Sequence, residues 1–254
     1  PPSFNPLIVH VLWLHDAEQI AEFDDCARDL AARFWPGPLT LVLPLKPSAP
    51  IASLVTAGLP TIAIRSPAHP AIRDLLAGVG RPLAAPSANA SGRISPTRAE
   101  HVAASLGGRI PLVIDGGATA HGLESTIVAV RDGSARLLRP GPIPASELGV
   151  PLAENSSTAI EAPGQLDSHY APSIPLRLEA TAPRPGEWMI GFGAVAGDDS
   201  LSPGGDLVEA ASRLFDALHR AEASGRAAIA VAPVPHEGLG LAINDRLARA
   251  AAPR

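Results

Sequence analysis

Cysteine, lysine, methionine and tyrosine each occur once in the 254 residues, and aromatic side chains make up only 4%. The single Cys26 excludes an internal disulfide framework and a cysteine-built zinc site, and its setting is expected to be a buried helix position. Lys46 stands between Leu45 and Pro47, outside any G-x-x-x-x-G-K-[ST] phosphate loop, so a P-loop nucleotidase is excluded. There is no G-x-S-x-G elbow and no H-E-x-x-H pair, which removes the common Ser-His-Asp hydrolases and zincins. No apolar run approaches the ~20 residues needed to cross a bilayer and no signal peptide is visible, so a cytoplasmic protein without membrane contact is expected. The net charge of -5 argues against indiscriminate coating of nucleic acid and restricts any RNA contact to a local patch.

What is present is a hydrophobic content of 46%, enough for a sizeable core, and a cationic complement that is arginine apart from Lys46. Hydrophobic periodicity predicts strands at Leu7–Val11, Leu39–Pro44, Thr61–Arg65, Pro82–Ala85, Leu112–Asp115, Ser125–Val130 and Ala135–Arg139. It predicts helices over Asp16–Phe34, His69–Ala77 and Thr97–Leu106, with Thr97 as N-cap and Glu100 completing a capping box. From Pro151 to Pro175 the pattern dissolves into Pro, Ser and Gly, which reads as a linker. Beyond it, strands at Leu176–Leu178, Trp188–Phe192 and Ala227–Val231 alternate with helices over Asp206–Ala223 and Leu241–Ala251, a small module of Rossmann-like α/β type. The expected division is therefore 1–150, a linker over 151–175, and 176–254.

The densest polar chemistry lies in Ala85-Pro86-Ser87-Ala88-Asn89-Ala90-Ser91-Gly92-Arg93-Ile94-Ser95-Pro96-Thr97, followed by Ser125-Thr126 and Arg139-Pro140-Gly141. Short hydroxyl and amide side chains on bent backbone surround phosphate or carboxylate oxygens with neutral donors, while isolated arginines supply charge. Arg65 and His10 each end a strand, where open α/β sheets place ligands. By contrast, Gly191-Phe192-Gly193-Ala194-Val195-Ala196 fits a dinucleotide fingerprint only in spelling, because Gly197-Asp198-Asp199 follows in place of a helix. Arg246-Leu247-Ala248-Arg249 reads as a solvated helix face.

Several segments together resemble the two-domain threonylcarbamoyl-AMP synthases: Asn5-Pro6-Leu7-Ile8-Val9-His10, Trp35-Pro36-Gly37-Pro38-Leu39-Thr40, Thr61-Ile62-Ala63-Ile64-Arg65, the Ala85 to Gly92 run, Ser125-Thr126-Ile127-Val128, Arg139-Pro140-Gly141 and Asp167-Ser168-His169-Tyr170-Ala171-Pro172. Gly238-Leu239-Gly240-Leu241-Ala242-Ile243-Asn244-Asp245-Arg246 is similar to the end of their accessory domain. The resemblance implies a YrdC-like twisted mixed-sheet α/β catalytic domain joined by the linker to a Rossmann-like C-terminal domain. It implies a synthase that joins L-threonine, bicarbonate or CO2 and ATP into threonylcarbamoyl-AMP, releasing pyrophosphate. The product would feed a downstream tRNA threonylcarbamoyl transferase complex, with at most a weak tRNA contact by this chain. Carried over by position, His10, Arg65, the Ala85 backbone and Ser125 would hold threonine. Asn5, Thr61, Ser87, Ser95, Arg139 and Tyr170 would hold ATP, with the linker acting as a lid and Mg2+ arriving on the triphosphate.

The family pattern also has a segment ahead of Asn5 with Thr-x-Tyr-Gly and Lys-Gly-Arg-Pro elements, which this sequence does not contain, and the chain as written is expected to be inactive or crippled. Two alternatives are carried: a carbamoyl-adenylate-forming carbamoyltransferase, disfavoured by the single cysteine, and a non-catalytic RNA-binding module.

Overall fold

The computed structural model describes residues 5–153, 161–165 and 168–253; the linker stretch 154–160 and Asp167 of the Asp-Ser-His-Tyr motif lie outside the described residues. Two compact units emerge, Pro1–Pro86 with Ser125–Gln165, and Ser87–Glu124 with Leu166–Arg254. Each unit is therefore assembled from two separate stretches of chain, and 87–124 packs with the C-terminal stretch.

The first unit is a six-stranded mixed sheet: β1 (Ile8–His10), β2 (Leu39–Pro44), β3 (Thr61–Arg65), β4 (Leu83–Ala85), β5 (Thr126–Arg131) and β6 (Ser134–Arg139), in the order β4-β1-β3-β2-β5-β6. β1 runs parallel to β3 and β2 parallel to β5; the other neighbours are antiparallel. Side chains alternate between faces along a strand. Val9, Val11, Leu41, Leu43, Ile62, Ile64, Val128 and Val130 thus share one face, buried with Ala17, Ile20, Ala27 and Leu30. Those last four come from α1 (Leu14–Ile20) and α2 (Asp25–Phe34); the unit's described residues also form α3 (Ser53–Thr56), α4 (Pro70–Val79) and a 3-10 turn at Ala145–Glu147. The opposite face carries a smaller apolar row, Ile8, Val42, Ala63, Ile127 and Ala129, with Leu138 and Ala162.

The predicted continuous helix from Asp16 to Phe34 is corrected to two. Ala21 is extended and bridges Leu45, the Glu22 N–H donates to the Pro44 carbonyl, and Asp24 restarts the helix by accepting from the Ala27 N–H at 2.8 Å. The apolar spacing runs through this break unchanged, because both helices press on the same face.

The second unit holds a parallel four-stranded sheet, β7 (Leu176–Arg177), β8 (Glu187–Gly191), β9 (Asp199–Ser200) and β10 (Ala228–Val231), ordered β7-β10-β8-β9. α6 (Leu207–Ala223) and α7 (Gly240–Ala251) cover it, burying Leu214, Phe215, Leu218, Ile243 and Leu247. Asp206 caps α6 by accepting from the Val208 and Glu209 N–H groups. The Gly191 to Ala196 run makes a tight turn with a Phe192–Val195 bridge; a Cβ on Gly191 would meet the Val195 carbonyl at 2.2 Å, so Gly191 serves close backbone packing, while Gly193 supplies the left-handed φ of 56° that the turn needs.

Two further expectations fail here. The proposed strand Leu112–Asp115 does not form: Leu112 and Ile114 are 71% and 64% exposed and, among the described residues, pair with no neighbouring strand, between glycine pairs at 107–108 and 116–117. The helix α5 runs Ala99–Leu106 with Arg98 at its N-cap, without a side-chain cap bond, and buried Thr97 instead takes the His101 ring as partner to its N–H. The capping box is thus absent although its spelling is present.

Candidate active site

Alternation and register bring six of the candidate residues to one face of the first sheet. His10 lies opposite Arg65 on parallel strands, Ala85 pairs with Ile8, and Thr61 and Arg65 flank Ala63. Ser125 precedes β5 with the parity of Ile127, and Arg139 pairs with Ile127 across a register shift. This is the face with the small apolar row, where Ala63 and Ala129 leave room that branched residues would fill. Asn5 precedes β1 in the same unit.

Each polar group is held by its own neighbours. The Arg65 Nε donates to the Gly37 carbonyl at 2.9 Å. Gly37 sits so close to the Phe34 carbonyl that a Cβ would approach it to 2.3 Å, which explains glycine there. Burial first, and then the Arg139 charge, push the Arg65 guanidinium down to about 10. Arg139 is itself buried: its Nε and Nη2 donate to the Ser125 carbonyl at 3.1 and 2.9 Å, and Nη2 reaches the Ser125 hydroxyl at 3.1 Å. The Thr40 and Ser125 hydroxyls are 2.7 Å apart, so a strand residue that the sequence reading passed over completes the cluster. Its signal was available: Thr40 is the one polar residue in Leu39–Pro44.

His10 completes the positive edge without adding charge. Its Nδ1 lies 3.3 Å from the Leu83 carbonyl, which can only accept, so Nδ1 carries the proton and Nε2 presents a lone pair. Burial, and then the Arg65 charge, hold this imidazole at about 4, neutral at physiological pH. The edge therefore offers the Arg65 guanidinium to an anion, with the Arg139 charge, itself bonded to Ser125 and Pro163, beside it, and a neutral acceptor to a hydroxyl or amine.

The remaining candidates belong to the second unit. Ser87 and Ser95 both line a cavity of about 360 Å³, together with Thr97, Arg98, Thr119 and Glu124. Ser87 is exposed and Ser95 buried, its hydroxyl donating to the Glu124 carboxylate. Tyr170 is packed within the second unit. Its ring is buried 5.5 Å from Phe215 and 4.1 Å from His169, and its backbone is left-handed at φ 61°. The Arg246 reading is also corrected: this side chain is fully buried, its guanidinium 5.3 Å from the Tyr170 ring centre and paired to Glu124 at 2.9 Å and Asp245 at 2.6 Å. A buried arginine on an amphipathic helix has the same spelling as an exposed one, and only its carboxylate partners distinguish them.

Residues 2–141 match the family model described as "Telomere recombination", that of the Sua5, YciO and YrdC proteins, and residues 126–252 match "Threonylcarbamoyl-AMP synthase, C-terminal domain". The chain belongs to the two-domain Sua5 family. It is 38% identical over 276 residues to the threonylcarbamoyl-AMP synthase of Pyrococcus abyssi, covering 98% of this chain and 81% of that one. With the Bacillus subtilis threonylcarbamoyl-AMP synthase it is 39% identical over 282 residues, covering 100% and 81%. Among solved structures, P. abyssi Sua5 complexed with L-threonine superimposes with a TM-score of 0.87 at 37% identity over 98% of this chain and 81% of that one. The mixed-sheet α/β fold with a second parallel sheet is that of this Sua5 family member.

Proposed function

We propose that this Sua5-family chain condenses L-threonine, bicarbonate or CO2 and ATP into threonylcarbamoyl-AMP and pyrophosphate, for the threonylcarbamoyl modification of tRNA. The observation that carries the reading is Arg65: a largely buried guanidinium beside a second arginine, whose recorded partner is the Gly37 carbonyl, with no carboxylate paired to it among the described residues. Such a group is completed by the carboxylate of a ligand. The name of the P. abyssi protein and its complex with L-threonine support threonine as that ligand.

On this reading Arg65 forks onto the threonine carboxylate, and the His10 Nε2 accepts from its hydroxyl or amine. Ser125, with its hydroxyl against Thr40, and the Ala85 backbone close the amino-acid contacts. The field of Arg65 and Arg139 disfavours an ammonium, so the bound amine is biased to the neutral form that attacks CO2. The carbamate oxygen then attacks the α-phosphorus as pyrophosphate leaves, a step served by positioning and charge neutralisation rather than a covalent nucleophile. Asn5, Thr61, Ser87, Ser95, Arg139 and Tyr170 are assigned to ATP. Mg2+ enters on the triphosphate; among the described residues no group of three or more His, Cys, Asp or Glu side chains is placed to hold a metal ion.

Titration calorimetry with Arg65→Ala tests the assignment. Threonine binding is expected to vanish while ATP affinity stays within a few-fold; equal loss of both ligands contradicts the division of roles.

A further inference from the structure

One fully buried charge in the second unit, paired to half-buried carboxylates, is unexplained by packing alone. Arg246 is fully buried at the end of the accessory module, yet its Nε is spent on Glu124, a residue of the segment that lines the cavity shared by Ser87 and Ser95. Burying such a pair is not a route to stability, because desolvation offsets the attraction and a well-packed apolar pair would do as well. What the pair does is fix the Glu124 carboxylate. Asp245 takes the Arg246 Nη1, and the guanidinium lies over the Tyr170 ring, so the arginine cannot swing away.

The fixed carboxylate decides the polarity of Ser95. A hydroxyl has one proton, and a carboxylate beside a guanidinium only accepts, so the Ser95 proton is committed to Glu124. The Ser95 carbonyl is anchored as well, accepting from the His219 Nε2 at 3.1 Å. What Ser95 Oγ has left for a ligand is lone pairs. A phosphate oxygen, also an acceptor and repelled by Glu124, cannot bond there.

The geometry points to Glu124, clamped by Arg246, as a positioning residue that makes Ser95 a hydrogen-bond acceptor and so selects the nucleoside end of the nucleotide. The inference rests on the proposed assignment of Ser95 to ATP and adds which part of ATP it meets: a group bearing a proton. The nucleoside offers three, the 2′-hydroxyl, the 3′-hydroxyl and the exocyclic amine of adenine.

The test is binding of ATP, 2′-deoxy-ATP, 3′-deoxy-ATP and ITP to the whole chain, measured by calorimetry, repeated with Ser95→Ala and Glu124→Gln after thermal melts confirm folding. One analogue is expected to bind about tenfold more weakly than ATP, the loss of a single hydrogen bond, and its identity names the donor. In Ser95→Ala, ATP affinity falls to that of this analogue and the penalty disappears; in Glu124→Gln, whose amide can donate to Ser95 Oγ, the penalty shrinks. ATP binding with no penalty for any analogue, or a penalty that persists unchanged in Ser95→Ala, overturns this inference alone. No binding of ATP at all overturns it together with the synthase reading. Should either variant fail to fold, the unmodified chain's response to the three analogues still decides.

Discussion

The His10 imidazole and the Arg65 guanidinium stand opposite one another on adjacent parallel strands, and the same burial that weakens the arginine's hold on its proton keeps the histidine neutral. The pair is a designed asymmetry: one group keeps its charge at working pH, the other gives it up and becomes an acceptor. An amino acid, with a carboxylate at one end and donors at the other, is the complementary ligand.

That asymmetry has a pH signature. His10 falls from its ordinary 6.5 to about 4 on folding, so between these values the unfolded chain binds more protons than the folded one. The His10 contribution therefore makes stability fall as pH drops through 6.5 towards 4, and leaves it flat above. Urea melts across pH 4 to 8 should show this slope, and His10→Asn should remove that part of it. A His10 resonance titrating near 6.5 by NMR would contradict the neutral assignment.

Arg65→Lys is expected to be nearly as damaging for threonine as Arg65→Ala, raising its Kd by roughly 10- to 100-fold, because an ammonium cannot both hold the Gly37 carbonyl and fork onto a carboxylate. Calorimetry with L-threonine reads this directly. Near-normal affinity in the lysine variant would show that charge alone suffices.

Arg246→Ala leaves the Glu124 and Asp245 carboxylates beside a cavity, and breaking a buried pair in this way typically costs about 3–5 kcal/mol. The expected result is a markedly lower melting temperature, with proteolysis starting in the C-terminal stretch. A change below ~1 kcal/mol would place Arg246 at the surface in solution.

Gly122→Ala tests how the cavity segment is seated. Gly122 is left-handed at φ 69°, and a Cβ would meet the Ala211 carbonyl at 2.3 Å and the Ser212 Cα at 2.5 Å, both helix backbone that cannot yield cheaply. The substitution should destabilise by more than the ~1 kcal/mol of an ordinary glycine replacement and displace Glu124, weakening nucleotide binding alongside stability. Chemical denaturation and nucleotide titration of the same variant check both effects.

Much of this was legible in the chain because strands declare themselves by local apolar runs. Leu39–Pro44 and Thr61–Arg65 form with the bounds their pattern implies, and the face shared by Thr61, Ala63 and Arg65 follows from alternation alone. What was hidden depends on distant partners. The break at Ala21–Asp24 comes from a bridge to Leu45, the failure of Leu112–Asp115 from the absence of a strand to pair with, and the role of Arg246 from a carboxylate 122 residues away. Likewise Thr97 and Glu100 spell a capping box, yet the helix starts elsewhere because His101 occupies the Thr97 N–H. Local spelling reports propensity, and tertiary contacts decide among the structures it permits.

The most direct measurement of the central claim is pyrophosphate release from ATP by the whole chain, with L-threonine and bicarbonate supplied together, separately, or with L-serine or L-alanine in place of threonine. Release that requires both L-threonine and bicarbonate, and that Arg65→Ala abolishes, is the predicted result. Release indifferent to L-threonine or to bicarbonate contradicts the synthase reading.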